Sequence, residues 1–209
     1  TIARHASLPA CPKRTAALHE VLRWSPDPAA SPADGARVSK VLAIVRGAAE
    51  ATVGDRVCRF VKAGPEPLRL EAIATLVAAR PEGAATCIGQ TWSRGGDDLP
   101  AESRKAMLEA LQALGGPDLL PTLQAALDRP GDEALACGLL LAHGEKAHAS
   151  LLFALRGSEA RSQGVRRCLD TAGAPVAEAV VPFVDHPSEP VRAFAMSFLG
   201  RHRSPGAFA

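Results

Sequence analysis

From about residue 66 to its end the chain repeats one block: an apolar pattern at helical spacing, a turn marked by Gly or Pro, and a second helical pattern. The copies run over residues 67–92, 101–132, 133–157, 163–190 and 191–209. Arg69, Arg104, Ala136, Arg166 and Arg192 occupy the same point of successive first helices, at intervals of 35, 32, 30 and 26 residues. A helix pair of this size has too little interior to bury its own apolar face. It becomes stable only against neighbours of the same kind, so the period predicts a row of stacked helix pairs.

The apolar spacing supports helices over strands. Met107, Leu108, Leu111 and Leu114 lie at i, i+1, i+4 and i+7; Val191, Phe194, Ala195, Phe198 and Leu199 lie at i, i+3, i+4, i+7 and i+8. Each set makes one stripe on an α-helix, whereas a half-buried strand would alternate. Leu119, Leu120, Leu123 and Leu127 place a second helix in the same way, as do Leu151, Leu152 and Leu155, and Val176, Val180, Val181 and Val184. Between the stripes fall Pro81-Glu82-Gly83, Gly115-Gly116-Pro117, Gly144 and Gly173, residue types that stop one helix or open the next. Asp118 suits the positive N-terminal end of the helix that follows it.

The final copy also carries a family pattern. Asp185-His186-Pro187 leads into Val191-Arg192-Ala193-Phe194-Ala195 and then Leu199-Gly200, which resembles the HEAT-repeat consensus of an aspartate, a short turn, Val-Arg, Ala and Leu-Gly. Val165-Arg166 and Ser103-Arg104 with Leu111 and Leu114-Gly115 match less fully, and the Leu135-Ala136 copy lacks the arginine. The resemblance, to the HEAT-repeat family and its bacterial HEAT-like branch, covers residues 66–209. It implies an all-α α-solenoid of antiparallel helix pairs that binds proteins, or sometimes nucleic acid, along one ridge. It further implies that Arg69, Arg104, Arg166 and Arg192 hold neighbouring repeats by bonding to acids or carbonyls at the turns. The other reading of these arginines is an exposed basic ladder that grips an acidic partner.

Composition fits a multi-helix chain. Hydrophobic residues make up 47% and aromatics 4%, with no Tyr. Alanine favours helix and lets helices approach closely. The 17 Pro and 18 Gly gather between the helical patterns, so they punctuate helices and do not mark disorder. No apolar run approaches the roughly 20 residues of a membrane span.

Residues 1–62 form a less regular helical segment ahead of the repeats at 63–209, and they read as a degenerate cap whose outer face tolerates water. Lys13–Trp24, Val38–Val45 and Val53–Val61 predict helices there, and the Pro-rich stretch 25–35 predicts a loop. This segment holds ten Lys/Arg against five Asp/Glu, an excess of +5 set against −3 in the remainder. A solvated surface is the plain reading; a basic end for an acidic partner or a phosphate backbone is the sharper one. Basic and aromatic residues are not interleaved as single-strand binding would require. At the other end, Val191–Gly200 fills a first-helix slot and Ser204-Pro205-Gly206 a turn slot. The expectation is a half repeat whose Phe194, Phe198 or Phe208 is covered by a longer native chain or a homo-oligomer.

Five cysteines, Cys11, Cys58, Cys87, Cys137 and Cys168, are scattered without a Cys-x-x-Cys pair. That pattern reads as reduced, buried thiols of a cytoplasmic protein, with an exported protein carrying one disulfide as the alternative. The chain begins at Thr1 without a signal-peptide pattern, which reads as a processed or trimmed start.

The chemical candidates are sparse. His143 and His148 flank Glu145, but an i, i+5 pair across a Gly turn does not share a helix face as metal ligands do. His19-Glu20 resembles the His-Glu pairs of the HEAT-like deoxyhypusine hydroxylases, which need several such pairs; this chain has one. Asp97-Asp98 and Asp132-Glu133 sit at inter-repeat turns, where acids cap helices. Ser93-Arg94-Gly95-Gly96 lacks the Lys-Ser/Thr ending of a phosphate-binding loop. No catalytic residue, metal ligand or cofactor is assigned. The residues assigned to partner binding are Trp92 and Arg94, with Arg69, Arg104, Arg166 and Arg192; Trp92 sits just before a polar Gly loop, an exposed-looking place, and core packing is its plain reading beside that of an interface anchor. The expected function is a non-enzymatic protein-interaction scaffold. The alternatives are nucleic-acid binding through the basic N-terminal end, and a HEAT-like lyase or glycosylase.

Overall fold

The computed structural model describes residues 16–17, 20, 22, 32–48, 51–95, 98–144, 147–148, 151–152, 155 and 159–202. Among these the chain is all-helical, with no strand. The helices are α1 (Pro32–Ala48), α2 (Gly54–Ala63), α3 (Glu66–Ala79), α4 (Ala84–Gly95), α5 (Ala101–Leu114), α6 (Leu119–Ala126), α7 (Glu133–Leu141), α8 (Glu159–Ala172), α9 (Ala177–Val180) and α10 (Glu189–Arg201). The chain forms two compact units, Thr1–Leu119 and Leu120–Ala209. The division after Leu119 differs from the expected one after residue 62, because α1 and α2 pack on α3 and belong to the first unit.

In the first unit each helix presents one apolar stripe. Val38, Val41, Leu42 and Val45 of α1 are buried, as are Val57, Phe60 and Val61 of α2 and Leu68, Ala72, Ile73 and Leu76 of α3. Helix α1 packs on α3 and α3 on α5, while α2 packs on α4; the consecutive helices α2 and α3, and α4 and α5, also meet. Each fully buried Leu or Phe in these stripes stabilises by about 1.5–3 kcal/mol. Polar bonds run alongside: Ser39 Oγ donates to Glu71 Oε1 at 2.7 Å, joining α1 to α3. Helix α3 ends at Arg80, the one non-Gly residue with positive φ among the described residues (46°), whose N–H closes on Leu76 O at 2.9 Å. Its guanidinium Nη2 donates to Ala113 O at 2.8 Å near the end of α5, where carbonyls lack helical partners and a cation is favoured.

In the second unit α7 packs on α8 and α9 on α10. Gly164 is buried where α8 crosses the backbone at Leu127: a Cβ there would lie 2.5 Å from Leu127 O. Phe194 and Phe198 of α10 are 6% and 0% exposed, so the chain's own helices cover them without the further chain or partner copy that was expected to; Phe208 lies outside the described residues.

Several boundaries differ from expectation. The 25–35 loop yields to helix at Pro32, since Pro fits a first helical position, where no N–H is needed. The expected helix over 176–184 is instead the four-residue α9 between 3-10 turns Ala174–Val176 and Val181–Phe183; Pro175 and Pro182 each remove a donor. Of the expected 13–24 helix, Ala16, Ala17, Glu20 and Leu22 are described, all helical.

The reading of reduced thiols is corrected. Cys58 on α2 bonds Cys87 on α4, and Cys137 on α7 bonds Cys168 on α8. The sequence separations are 29 and 31 residues. Cysteines one repeat apart sit at matching heights of neighbouring helices, with Cα atoms 6.2 and 5.3 Å apart, inside the range a disulfide spans. Cys11 lies outside the described residues.

Candidate functional site

Three of the repeat arginines clamp backbone. Arg69 Nε donates to Val61 O at 3.0 Å, and Arg104 Nη1 donates to Leu99 O at 2.8 Å. Arg192 Nη1 donates to His186 O at 2.8 Å and Pro187 O at 2.9 Å. Every acceptor lies five to eight residues before its arginine, in the last turn of the preceding helix or in the connection itself. The first turn of a helix thus grips the chain that leads into it. Arg69 Nη1 also reaches Ser103 Oγ at 3.5 Å, which in turn donates to Glu66 Oε1 at 3.5 Å, tying α3 to α5. These three arginines fit the carbonyl-clamp role, and their bonds turn them away from a free basic ladder.

Arg166 differs from them. It is half-buried, its Nε is buried with no hydrogen-bond partner among the described residues, and its guanidinium carbon lies 5.9 Å from the centroid of the Phe194 ring. Trp92, expected as an interface anchor, is 1% exposed in the first unit's core, which leaves it no surface for a partner. Arg94 is exposed and lines a hollow of about 270 Å³ with Lys62, Gln90 and Thr91.

Part of the N-terminal basic excess is structural. Arg59 donates to Leu22 O and lies over the Phe60 ring, 4.7 Å from its centroid. Burial, and then the charge of Arg56, hold its pKa below the ordinary arginine value.

Among the described residues the second unit carries open grooves between neighbouring helices. The α7–α8 groove, about 390 Å³, is crossed by Arg167 Nε and Glu133 Oε1 at 2.8 Å and borders the Cys137–Cys168 bond. The α8–α10 groove, about 320 Å³, is lined by Arg166 and Asp170 from α8 and by Pro190, Ala193, Phe194, Ser197 and Arg201 from α10. Arg201 Nη2 meets Asp170 Oδ1 at 2.6 Å and its Nη1 donates to Ser197 Oγ at 2.9 Å, while His202 Nε2 lies 3.6 Å from the same Asp170 oxygen. Exposed pairs of this kind add little stability, about 0–1 kcal/mol each, so they matter more as a patterned surface.

The remaining candidates do not converge. Among the described residues no group of three or more His, Cys, Asp or Glu is placed to hold a metal. His143 and His148 are half-buried, Asp98 and Glu20 are exposed, and Glu133 is engaged by Arg167. Asp132 is buried at the N-cap position of α7. His19, Asp97, Gly96 and Glu145 lie outside the described residues. The groove arginines Arg167 and Arg201 were invisible to repeat alignment. The signal that could have found them is an acid one repeat earlier: Glu133 is 34 residues before Arg167, and Asp170 is 31 before Arg201.

Compared with models of protein families and with curated proteins, the chain has no match. The HEAT-like reading therefore rests on the residues of its own sequence.

Proposed function

We propose that this chain is a HEAT-like α-solenoid acting as a non-enzymatic scaffold that presents inter-helix grooves to a protein partner. One observation carries the reading: several side-chain links between helices join residues about one repeat apart, besides the short clamp of Arg69 on Val61. They include Ser39–Glu71 at 32 residues, Arg69–Ser103 at 34, Arg80–Ala113 at 33, Arg167–Glu133 at 34 and Arg201–Asp170 at 31, besides the two disulfides. Links of about this length, 29 to 34 residues, are what a row of repeats makes, each touching its neighbours. The disulfides favour work in an oxidising compartment over the cytoplasm.

A photo-crosslinking residue placed at exposed Ser197 or Arg94, in the native host, tests the scaffold. The expected result is a discrete protein adduct, absent when the label sits at exposed Glu109 on α5. Adducts to nucleic acid alone, or none from either position, would overturn it. The nucleic-acid reading keeps one supporting observation, the hollow between Lys62 and Arg94. It requires duplex DNA binding whose logarithm falls steeply with the logarithm of salt.

A further inference from the structure

We infer that the α8–α10 groove is a carboxylate-recognition site for an acidic peptide segment of the partner, an assignment that rests on the scaffold reading above. Three features of the groove favour it. The first is a cation in the wall: Arg166 is half-buried, lines the groove, and has its guanidinium carbon 5.9 Å from the centroid of the Phe194 ring. A planar guanidinium edge matches a carboxylate in geometry, and charge-assisted bonds of this type are about twice as strong as neutral ones. The second is charge. Arg166 and Arg201 face a single acid, Asp170, and that acid is already bonded to Arg201 and approached by His202. The lining is cationic by one charge before His202 is counted.

The third is shape. About 320 Å³ lies at the small end of ligand sites, which run from roughly 300 to 1,000 Å³. Pro190, Ala193 and Ser197 fall at i, i+3 and i+7 on α10 and form one open wall with small side chains, while Phe194 backs the Arg166 guanidinium. An open wall of this kind admits a chain that continues past the site on both sides. Asp170 in the lining repels a dianion more than a monoanion, so the groove suits a carboxylate better than a phosphate.

The test uses the full oxidised chain and a fluorescein-labelled peptide of alternating Glu and Ala, with its Gln counterpart as control, read by fluorescence anisotropy. The Glu peptide is expected to bind at least about tenfold more tightly than the Gln peptide, the loss typical of one charge-assisted bond. Arg166→Gln should weaken the Glu peptide by about tenfold, and Asp170→Asn, which removes the competing acid, should tighten it. Damage to the fold would not move the two variants in opposite directions. Unchanged binding by an Arg166→Gln protein with native circular dichroism overturns the assignment, as does equal binding of the two peptides. Displacement by inorganic phosphate at lower concentration than acetate also overturns it, in favour of a phosphate site. Failure of the peptide while Ser197 still cross-links a protein removes the carboxylate site and spares the scaffold. Peptide binding without any protein cross-link removes the scaffold instead.

Discussion

Breaking the Cys58–Cys87 bond should cost the first unit a large share of its stability. The bond closes a segment of about thirty residues, since its ends are 29 apart. In the chain-entropy account, a loop of that length removes about 3.6 kcal/mol of freedom from the unfolded chain at 25 °C. Single domains are stable by about 5–15 kcal/mol, so the effect is not marginal. With a urea slope of about 1–2 kcal/mol/M for a unit this small, the midpoint should fall by roughly 2–4 M. The perturbation is the double variant Cys58→Ala, Cys87→Ala, because alanine leaves no buried hydroxyl behind. Both tryptophans fall within Thr1–Leu119, so tryptophan fluorescence during urea unfolding reports this unit. Alkylation of the denatured, unreduced wild-type chain supplies the second readout: four cysteines should stay unmodified until a reductant is added. A midpoint that does not move, or five alkylated cysteines without reductant, would refute the reasoning and return the thiols to the reduced reading.

Two glycines should respond in opposite directions. Gly164→Ala places a Cβ 2.5 Å from the Leu127 carbonyl oxygen and should destabilise the second unit by about 1–3 kcal/mol in thermal melts. Gly138→Ala on α7 meets nothing within 4 Å and should gain up to about 1 kcal/mol from helix propensity; equal effects would contradict the close crossing of α8. Arg192→Ala removes a donor shared by two carbonyls and should lower stability by about 1–3 kcal/mol, with Arg192→Lys recovering only part. An Arg192→Ala melt identical to wild type would remove the clamp role.

The stripes Val191, Phe194, Ala195, Phe198 and Leu199, and Met107, Leu108 and Leu111, were legible because a helix face is a local pattern, and burial follows it. The 176–184 segment was misread because its Val spacing is helical while Pro175 and Pro182 break the donor ladder. For Trp92 the interface-anchor reading gives way to core packing, for a different reason. A position before a polar Gly loop looks exposed in one dimension, yet α4 turns that residue into the core beside α2 and α5. The disulfides were legible in principle, since 29 and 31 fall within the range of repeat spacings, but a search for short Cys-x-x-Cys pairs passes over them.

By itself the sequence determined the helical class, the repeat and most of the turns, because these depend on side-chain chemistry within a few residues of each other. It also marked Arg69, Arg104, Arg166 and Arg192 as equivalent. Only the tertiary structure decided that they are not. Three of them find a carbonyl in the chain just before their own helix. Arg166 meets Phe194, 28 positions further on, and keeps a buried donor with no partner among the described residues. Equivalence along the chain is local, whereas the partner available to a guanidinium is set by which helix packs beside it.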